Sequence, residues 1–159
     1  MRWGLSMALG GELAEPRVAA EVAAAAEEAG WDGVFVWDHL WHRGGVPFAD
    51  PMITLAAIAV ATTAVRIGPL VVPLPRRHPL VVAQQVASLD RLTDGRLTLG
   101  VGLGHDNYGE ISGSGDPRDV AVAADDRARA AVLDAHLGTL LAALEGDVIE
   151  GAGGERGAI

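Results

Sequence analysis

The sequence has no cysteine among its 159 residues. This absence excludes disulfide bonds, thiolate zinc sites and cysteine nucleophiles as features of the protein. It favours a cytosolic protein, although the redox compartment is not fixed by this observation alone.

Basic residues are few, because 12 Lys and Arg stand against 21 Asp and Glu and give a formal net charge of −9. Such a surface repels a phosphate backbone, which argues against nucleic acid as a partner. The longest apolar run, residues 53–65, is interrupted by threonines and is too short to span a bilayer. Residues 1–4 show no pattern of a secretion signal. We therefore expect a cytoplasmic protein that enters no membrane.

The dominant feature is an extended apolar stretch followed by a helical stretch, which occurs four times. The predicted strands are residues 3–9, 33–37, 66–72 and 96–101, and the predicted helices begin near residues 16, 51, 80 and 118. Alternation of this kind implies parallel strands with right-handed crossovers, as in a doubly wound sheet or a (β/α) barrel. A full barrel needs about 250 residues, so four units would form half of one.

Ligand-binding loops in both architectures follow the carboxyl ends of the strands. Here these loops are residues 10–11, 38–48, 73–78 and 102–115, and they contain all the conspicuous glycine and polar clusters. A dinucleotide site would require a G-x-G-x-x-G spacing. Gly102 and Gly104 begin that pattern, but Asn107 occupies the third glycine position. The glycines therefore either border a ligand or simply end a strand tightly.

Asp38, His39 and His42 follow the second strand and allow three interpretations. They could be metal ligands, since carboxylate and imidazole are common donors. His39 could instead be an acid/base group whose protonation is set by its neighbour Asp38. In the third interpretation, Asp38 caps the turn and His39 packs beside tryptophans.

Pro69 and Pro73 lie at the end of the third strand, where each removes an amide donor from the ladder. We expect a bulge there, which either presses the backbone against a flat ligand or is an ordinary strand terminus. The cluster of Arg76, Arg77 and His78 that follows provides either a place for an anionic group or solvated charge before a helix.

In this order, the segments resemble the bacterial luciferase-like family of flavin- or deazaflavin-dependent oxidoreductases. The resemblance is carried by residues 26–39 (AEEAGWDGVFVWDH), 67–79 (IGPLVVPLPRRHP) and 89–104 (LDRLTDGRLTLGVGLG). It implies an α/β fold that is a partial (β/α)8 TIM barrel of about four units. It also implies reduced FMN or coenzyme F420 as cofactor and a small organic molecule as substrate.

The resemblance also implies roles for particular residues. His39 would be the proton donor or stabiliser, and Asp38 would share its position facing the cofactor and substrate. Leu70, Val71 and Val72 would back the flavin ring, often with a non-proline cis peptide bond. The border of the cofactor's side chain would be formed by Gly102, Gly104, His105 and Asp106, although many relatives have an aromatic residue or a glutamate in place of His105.

The family's second half barrel is missing from this chain, so residues 1–151 are predicted to be the N-terminal half of the domain and residues 152–159 a disordered or truncated tail. Two open sheet edges would leave backbone groups unpaired. The chain is therefore predicted either to have weak or no activity alone, or to be a partner-dependent half barrel. Its partner would be another copy or a complementing second half. A metal-dependent hydrolase using Asp38, His39 and His42 is a further alternative.

Overall fold

The computed structural model describes residues 1–41, 45–114, 125–146, 149–150, 156–157 and 159. The strands are β1 (Gly4–Met7), β2 (Gly33–Val36), β3 (Arg66–Pro69), β4 (Val72–Pro73), β5 (Val101–Gly102), β6 (Ile149–Glu150) and β7 (Arg156–Gly157). The α-helices are α1 (Pro16–Glu28), α2 (Pro51–Ala61), α3 (Pro79–Leu92) and α4 (Asp126–Leu144). Short 3-10 helices cover Gly11–Ala14, Leu74–Arg76 and Ser112–Ser114.

The helices begin where their capping residues predict. Asp50 accepts hydrogen bonds from the backbone amides of Met52 (2.8 Å) and Ile53 (3.0 Å), which are unpaired donors in the first turn of α2. Proline occupies the first position of α1, α2 and α3, where the missing N–H costs nothing. The predicted last helix began at residue 118, but residues 118–124 lie outside the described part of the chain.

The parallel sheet has the order β1-β2-β3, with Leu5 opposite Val34 and Val34 opposite Ile67. These residues face helices α1 to α3, and Val34 and Ile67 are fully buried. The opposite face of β1 is exposed at Gly4 and Ser6. This strand is therefore covered on one face only among the described residues.

The third predicted strand is divided, because β3 ends at Pro69 and β4 begins at Val72. Proline at each side of the break removes an amide donor, which confirms the predicted irregularity. The fourth predicted strand is reduced to β5, which pairs with β4, and an isolated bridge between Ile67 and Leu97. Backbone hydrogen bonds still align this segment with β3, including one from the Thr98 amide to the Ile67 carbonyl at 2.8 Å.

Near the C-terminus, β6 and β7 form a two-stranded antiparallel pair. The predicted tail, residues 152–159, therefore contains one short strand, and most of it lies outside the described residues. No helix within the described residues is long and apolar enough to cross a membrane.

Candidate functional site

A cleft of about 220 Å³ opens at the carboxyl ends of the strands, as the loop positions predict. Its apolar floor is formed by Leu70, Val71 and Pro73. Its walls include Trp37, His39, Gly104 and His105, and its charged side chains are Asp38, Arg76 and Glu110. Small-molecule pockets usually measure roughly 300–1,000 Å³, so this cleft has the size of a partial pocket.

Asp38 is buried beneath the cleft and is bound by two arginines. Its Oδ1 accepts from Arg76 Nη2 at 2.6 Å and from Arg77 Nη2 at 2.9 Å, and its Oδ2 accepts from Arg77 Nε at 2.7 Å. The side chain of Asp38 is 0% exposed. Its carboxylate therefore holds the loop after β2 in place, and both of its oxygens are already occupied.

Arg76 and Arg77 lie in the loop before α3 and neutralise carboxylates. Burial alone would lower the pKa of Arg77, but its hydrogen bonds and charge attraction to Asp38 and Asp50 outweigh this effect and raise it. The sequence suggested an anion site or solvated charge for this cluster. Both alternatives are wrong for Arg76 and Arg77. The anions that these arginines bind are carboxylate side chains of the protein itself.

Glu110 is the main component of the site that the sequence analysis missed. It is 3% exposed, its Oε1 accepts a hydrogen bond from the Leu40 amide at 2.7 Å, and the same oxygen forms an ion pair with Arg76 Nη1 at 3.1 Å. Its Oε2 lies 3.0 Å from His39 Nδ1. Burial would raise the pKa of Glu110, but the Leu40 amide, the His39 ring and the Arg76 charge together hold it below its usual value. Glu110 is therefore an ionised carboxylate inside the protein.

His39 lies at the centre of a group of aromatic rings. Its ring centroid is 5.7 Å from that of Phe48, 6.0 Å from Trp37, and 6.1 Å from both His105 and Tyr108. The carboxylate that bonds to His39 is Glu110, which corrects the expectation that its sequence neighbour Asp38 would do so. Asp38 instead bonds to the two arginines.

Of the residues expected to back a flat ring, Leu70 and Val71 line the cleft. Leu70 is 51% exposed, and the Leu70–Val71 peptide bond is cis, as the resemblance implied. Val72 differs, because its side chain is fully buried in the core. Only the backbone of Val72 could approach a ligand in this cleft.

The glycine-rich loop contributes unequally to the cleft. Gly104 has a φ of +67°, and a Cβ there would lie 2.6 Å from Pro73 Cβ, so only glycine fits. A Cβ at Gly102 would lie 2.7 Å from Val71 Cγ2, which shows how closely the loop packs behind the floor. His105 lines the cleft next to Gly104.

Asp106 turns away from the cleft and holds the loop together. Its Oδ1 accepts hydrogen bonds from the backbone amides of Ile111 at 2.7 Å and Ser112 at 3.2 Å. Burial would raise the pKa of Asp106, but the hydrogen bonds from Ser112 and Ile111 lower it. Asp106 therefore stabilises the loop. It was predicted to border the cofactor, but it is not among the residues that line the cleft.

The metal interpretation gains no support from the described residues. No group of three His, Asp or Glu side chains among them could hold a metal ion, and Asp38 is already bound by arginines. His42, the third ligand suggested by the sequence, lies outside the described residues.

Comparison with known proteins gives a consistent result. A model of the luciferase-like monooxygenase family matches residues 3–156. The F420-dependent glucose-6-phosphate dehydrogenase of Beutenbergia cavernae is 52% identical over 84 residues, which cover 50% of this chain and 24% of the dehydrogenase. The 4-hydroxyprotoasukamycin monooxygenase of Streptomyces nodosus subsp. asukaensis is 41% identical over 83 residues, 49% of this chain and 22% of the monooxygenase.

A solved structure of an F420-dependent secondary alcohol dehydrogenase in complex with an F420-acetone adduct has a TM-score of 0.76 at 26% identity. The match covers 99% of this chain and 46% of the dehydrogenase, so this chain spans less than half the length of that protein. Together with the parallel order of strands and helices, this likeness confirms the predicted partial (β/α)8 barrel.

Proposed function

This chain belongs to the luciferase-like monooxygenase family, and we propose that it forms the ring-binding half of an oxidoreductase that uses coenzyme F420 or reduced FMN. The substrate is a small organic molecule bound on the same side of the barrel. Because the chain spans 46% of the dehydrogenase structure that it resembles, the remaining contacts to cofactor and substrate belong to the other half of the barrel. Activity of this chain alone is expected to be weak or absent.

The observation that carries the proposal is an apolar floor and a histidine that line one cleft at the strand ends. A flat ring fits there because Leu70, Val71 and Pro73 have no charge and the nearby carboxylates are neutralised by arginines. When bound, a reduced flavin or deazaflavin supplies the electrons or hydride for the reaction. The protein's part is to hold the ring against Leu70 and Val71, to exclude water, and to give or take a proton at His39.

Of the two cofactors, F420 is the first choice. The sequence Trp37-Asp38-His39-Leu40 favours the deazaflavin branch of the family, in which both cofactors occur with similar motifs after the second strand. The names of the Beutenbergia relative and of the matched structure both specify F420 dependence. Reduced FMN is the second choice, because the resemblance to the family implies either cofactor.

Titration with each cofactor, followed by absorbance and fluorescence, tests the proposal. Leu70→Glu places a charge in the apolar floor and is expected to weaken cofactor binding at least about tenfold, equivalent to about 1.4 kcal/mol. Val60→Glu is the matched control, because Val60 is an exposed apolar residue (73%) on α2 that does not line the cleft. Equal affinity of both variants for both cofactors would contradict the proposed ring site.

A second candidate is a half barrel that requires a partner and has no catalysis of its own. The observation that favours it is β1, which pairs only with β2 among the described residues. An unpaired strand edge is a template for another chain. Measurement of the molecular mass in solution tests this candidate, and a monomer that unfolds cooperatively would argue against it.

A further inference from the structure

Glu110 is the only carboxylate hydrogen-bonded to the His39 ring among the described residues. We infer that Glu110 is a positioning residue that fixes the neutral His39 ring with its proton on Nδ1 and leaves Nε2 as a hydrogen-bond acceptor for a ligand in the cleft. The inference rests on the proposed function only in placing a ligand against His39.

The assignment of the proton follows from the chemistry of the two groups. An ionised carboxylate can only accept hydrogen bonds, so the ring nitrogen that faces it must be the donor. His39 Nδ1 lies 3.0 Å from Oε2 and 3.1 Å from Oε1 of Glu110. A neutral imidazole carries one proton, and Nε2 must then present its lone pair. No described residue forms a hydrogen bond with Nε2, and His39 lines the cleft.

Glu110 is itself held in one orientation. The Leu40 amide donates a hydrogen bond to Oε1, and Arg76 Nη1 forms an ion pair with the same oxygen. Arg76 also donates through Nη2 to Asp38, and Asp38 is held by Arg77. A chain of charge pairs therefore runs from the loop before α3 to His39, and it leaves the carboxylate little freedom to rotate away from the ring.

Glu110→Gln makes the inference testable, because glutamine has one acceptor oxygen and one NH2 donor at the same positions. The oxygen should remain where Oε1 is now, since the Leu40 N–H donates to that point and the positive charge of Arg76 lies 3.1 Å from it. The NH2 group then faces His39 Nδ1 as a donor. Nδ1 would then face a donor at the Oε2 position and only one acceptor, at Oε1, so the neutral ring should shift part of its population to the Nε2–H tautomer.

Two-bond proton–nitrogen correlation spectra of protein carrying ¹⁵N-labelled histidine distinguish the two tautomers directly. They are recorded without cofactor, at a pH where the rings are neutral. The chain has five histidines, and His39→Gln identifies the His39 signals by their loss. Glu110→Asp keeps two acceptor oxygens and should retain the wild-type tautomer. Glu28→Gln, an exposed position on α1, serves as the matched control for the loss of one carboxylate charge.

The expected result is Nδ1–H in the wild type, Glu110→Asp and Glu28→Gln, and a larger share of Nε2–H in Glu110→Gln. Nε2–H in the wild type would overturn the inference, and this spectrum is decisive even if Glu110→Gln does not fold. An unchanged ratio of the two tautomers in folded Glu110→Gln, or a changed ratio in Glu28→Gln, would overturn it as well. If neither F420 nor FMN binds, the proposed function fails while the tautomer result is unaffected.

Discussion

At the scale of single residues, the site depends on buried charges that satisfy one another. The oxygens of Asp38 accept three hydrogen bonds from Arg76 and Arg77. The arginine side chains are only 8% and 17% exposed. These charges are tolerated in the interior only as a complete set, because a buried charge that loses its partner retains its full desolvation penalty.

Asp38→Ala should therefore lower the free energy of unfolding by about 3 to 5 kcal/mol. The loss arises mainly from the two guanidinium groups left without their counter-charge. Urea denaturation followed by circular dichroism measures it. Asp134→Ala removes an exposed carboxylate from α4 and should change stability by less than about 0.5 kcal/mol. Equal midpoints for the two variants would show that the arginines do not depend on Asp38.

Part of this site could be predicted from the sequence. Asp38 and His39 are polar residues directly after a strand, and strand ends of a parallel sheet carry ligand-binding side chains. Glu110 could not be found in the same way, because it lies 71 residues from His39 and its partner is determined by tertiary packing. The only indication in the sequence was its position: Glu110 belongs to a glycine-rich loop that follows a strand at the same edge of the sheet as His39.

At the scale of secondary-structure elements, Glu27 connects α1 to the start of β3. Its carboxylate accepts hydrogen bonds from the backbone amides of Thr63 (3.0 Å), Ala64 (2.7 Å) and Val65 (2.8 Å). Burial alone would raise the pKa of Glu27, but these hydrogen bonds lower it from 4.5 to about 2. The turn after α2 is therefore held by an ionised side chain from another helix.

This pKa predicts how stability depends on pH. A carboxyl group with a lowered pKa stabilises the folded state fully above its unfolded value of 4.5, and the contribution is lost as the pH falls toward about 2. Glu27→Gln should be less stable than the wild type at pH 7, and the difference should shrink between those two values. Urea midpoints measured at pH 7, 4 and 3 check this expectation.

Glu28→Gln is the control for this measurement, because Glu28 is next to Glu27 in the sequence and its carboxylate is exposed. Its stability relative to the wild type should vary little over the same pH range. A difference between Glu27→Gln and the wild type that is as large at pH 3 as at pH 7 would show that the ionised form is not what stabilises the turn.

The helices were predicted more accurately than the strands, for a physical reason. A helix is determined by local features, and Pro16, Asp50-Pro51 and Pro79 mark helix starts in the sequence itself. A strand depends on its neighbours in the sheet. The third predicted strand breaks after Pro69, and the fourth loses regular pairing beside that break. The loss in the fourth strand is caused by its neighbour, so no pattern within residues 96–101 reveals it.

At the scale of the whole molecule, the four repeated units predicted either a doubly wound sheet or part of a barrel, and the family resemblance implied the half barrel. The periodicity could not reveal what lies against the open side of the sheet. On that side, Ser6 and Arg66 are exposed, and Trp37 donates a hydrogen bond to Ser6 Oγ at 2.9 Å. Apolar residues are exposed near both ends of the sheet as well, including Trp3 (60%) and Leu70 (51%). A surface of this kind favours contact with another chain.

If a second copy covers the free edge of β1, stability must depend on protein concentration, because association stabilises the folded state by mass action. We expect the wild-type thermal midpoint to rise with concentration in scanning calorimetry. Ser6→Lys adds a charge beside this edge, which discourages strand pairing, so its midpoint should not rise. Ser88→Lys, on α3 at the opposite face of the sheet, should behave like the wild type. A wild-type midpoint that is constant over the whole concentration range would exclude association with a second copy.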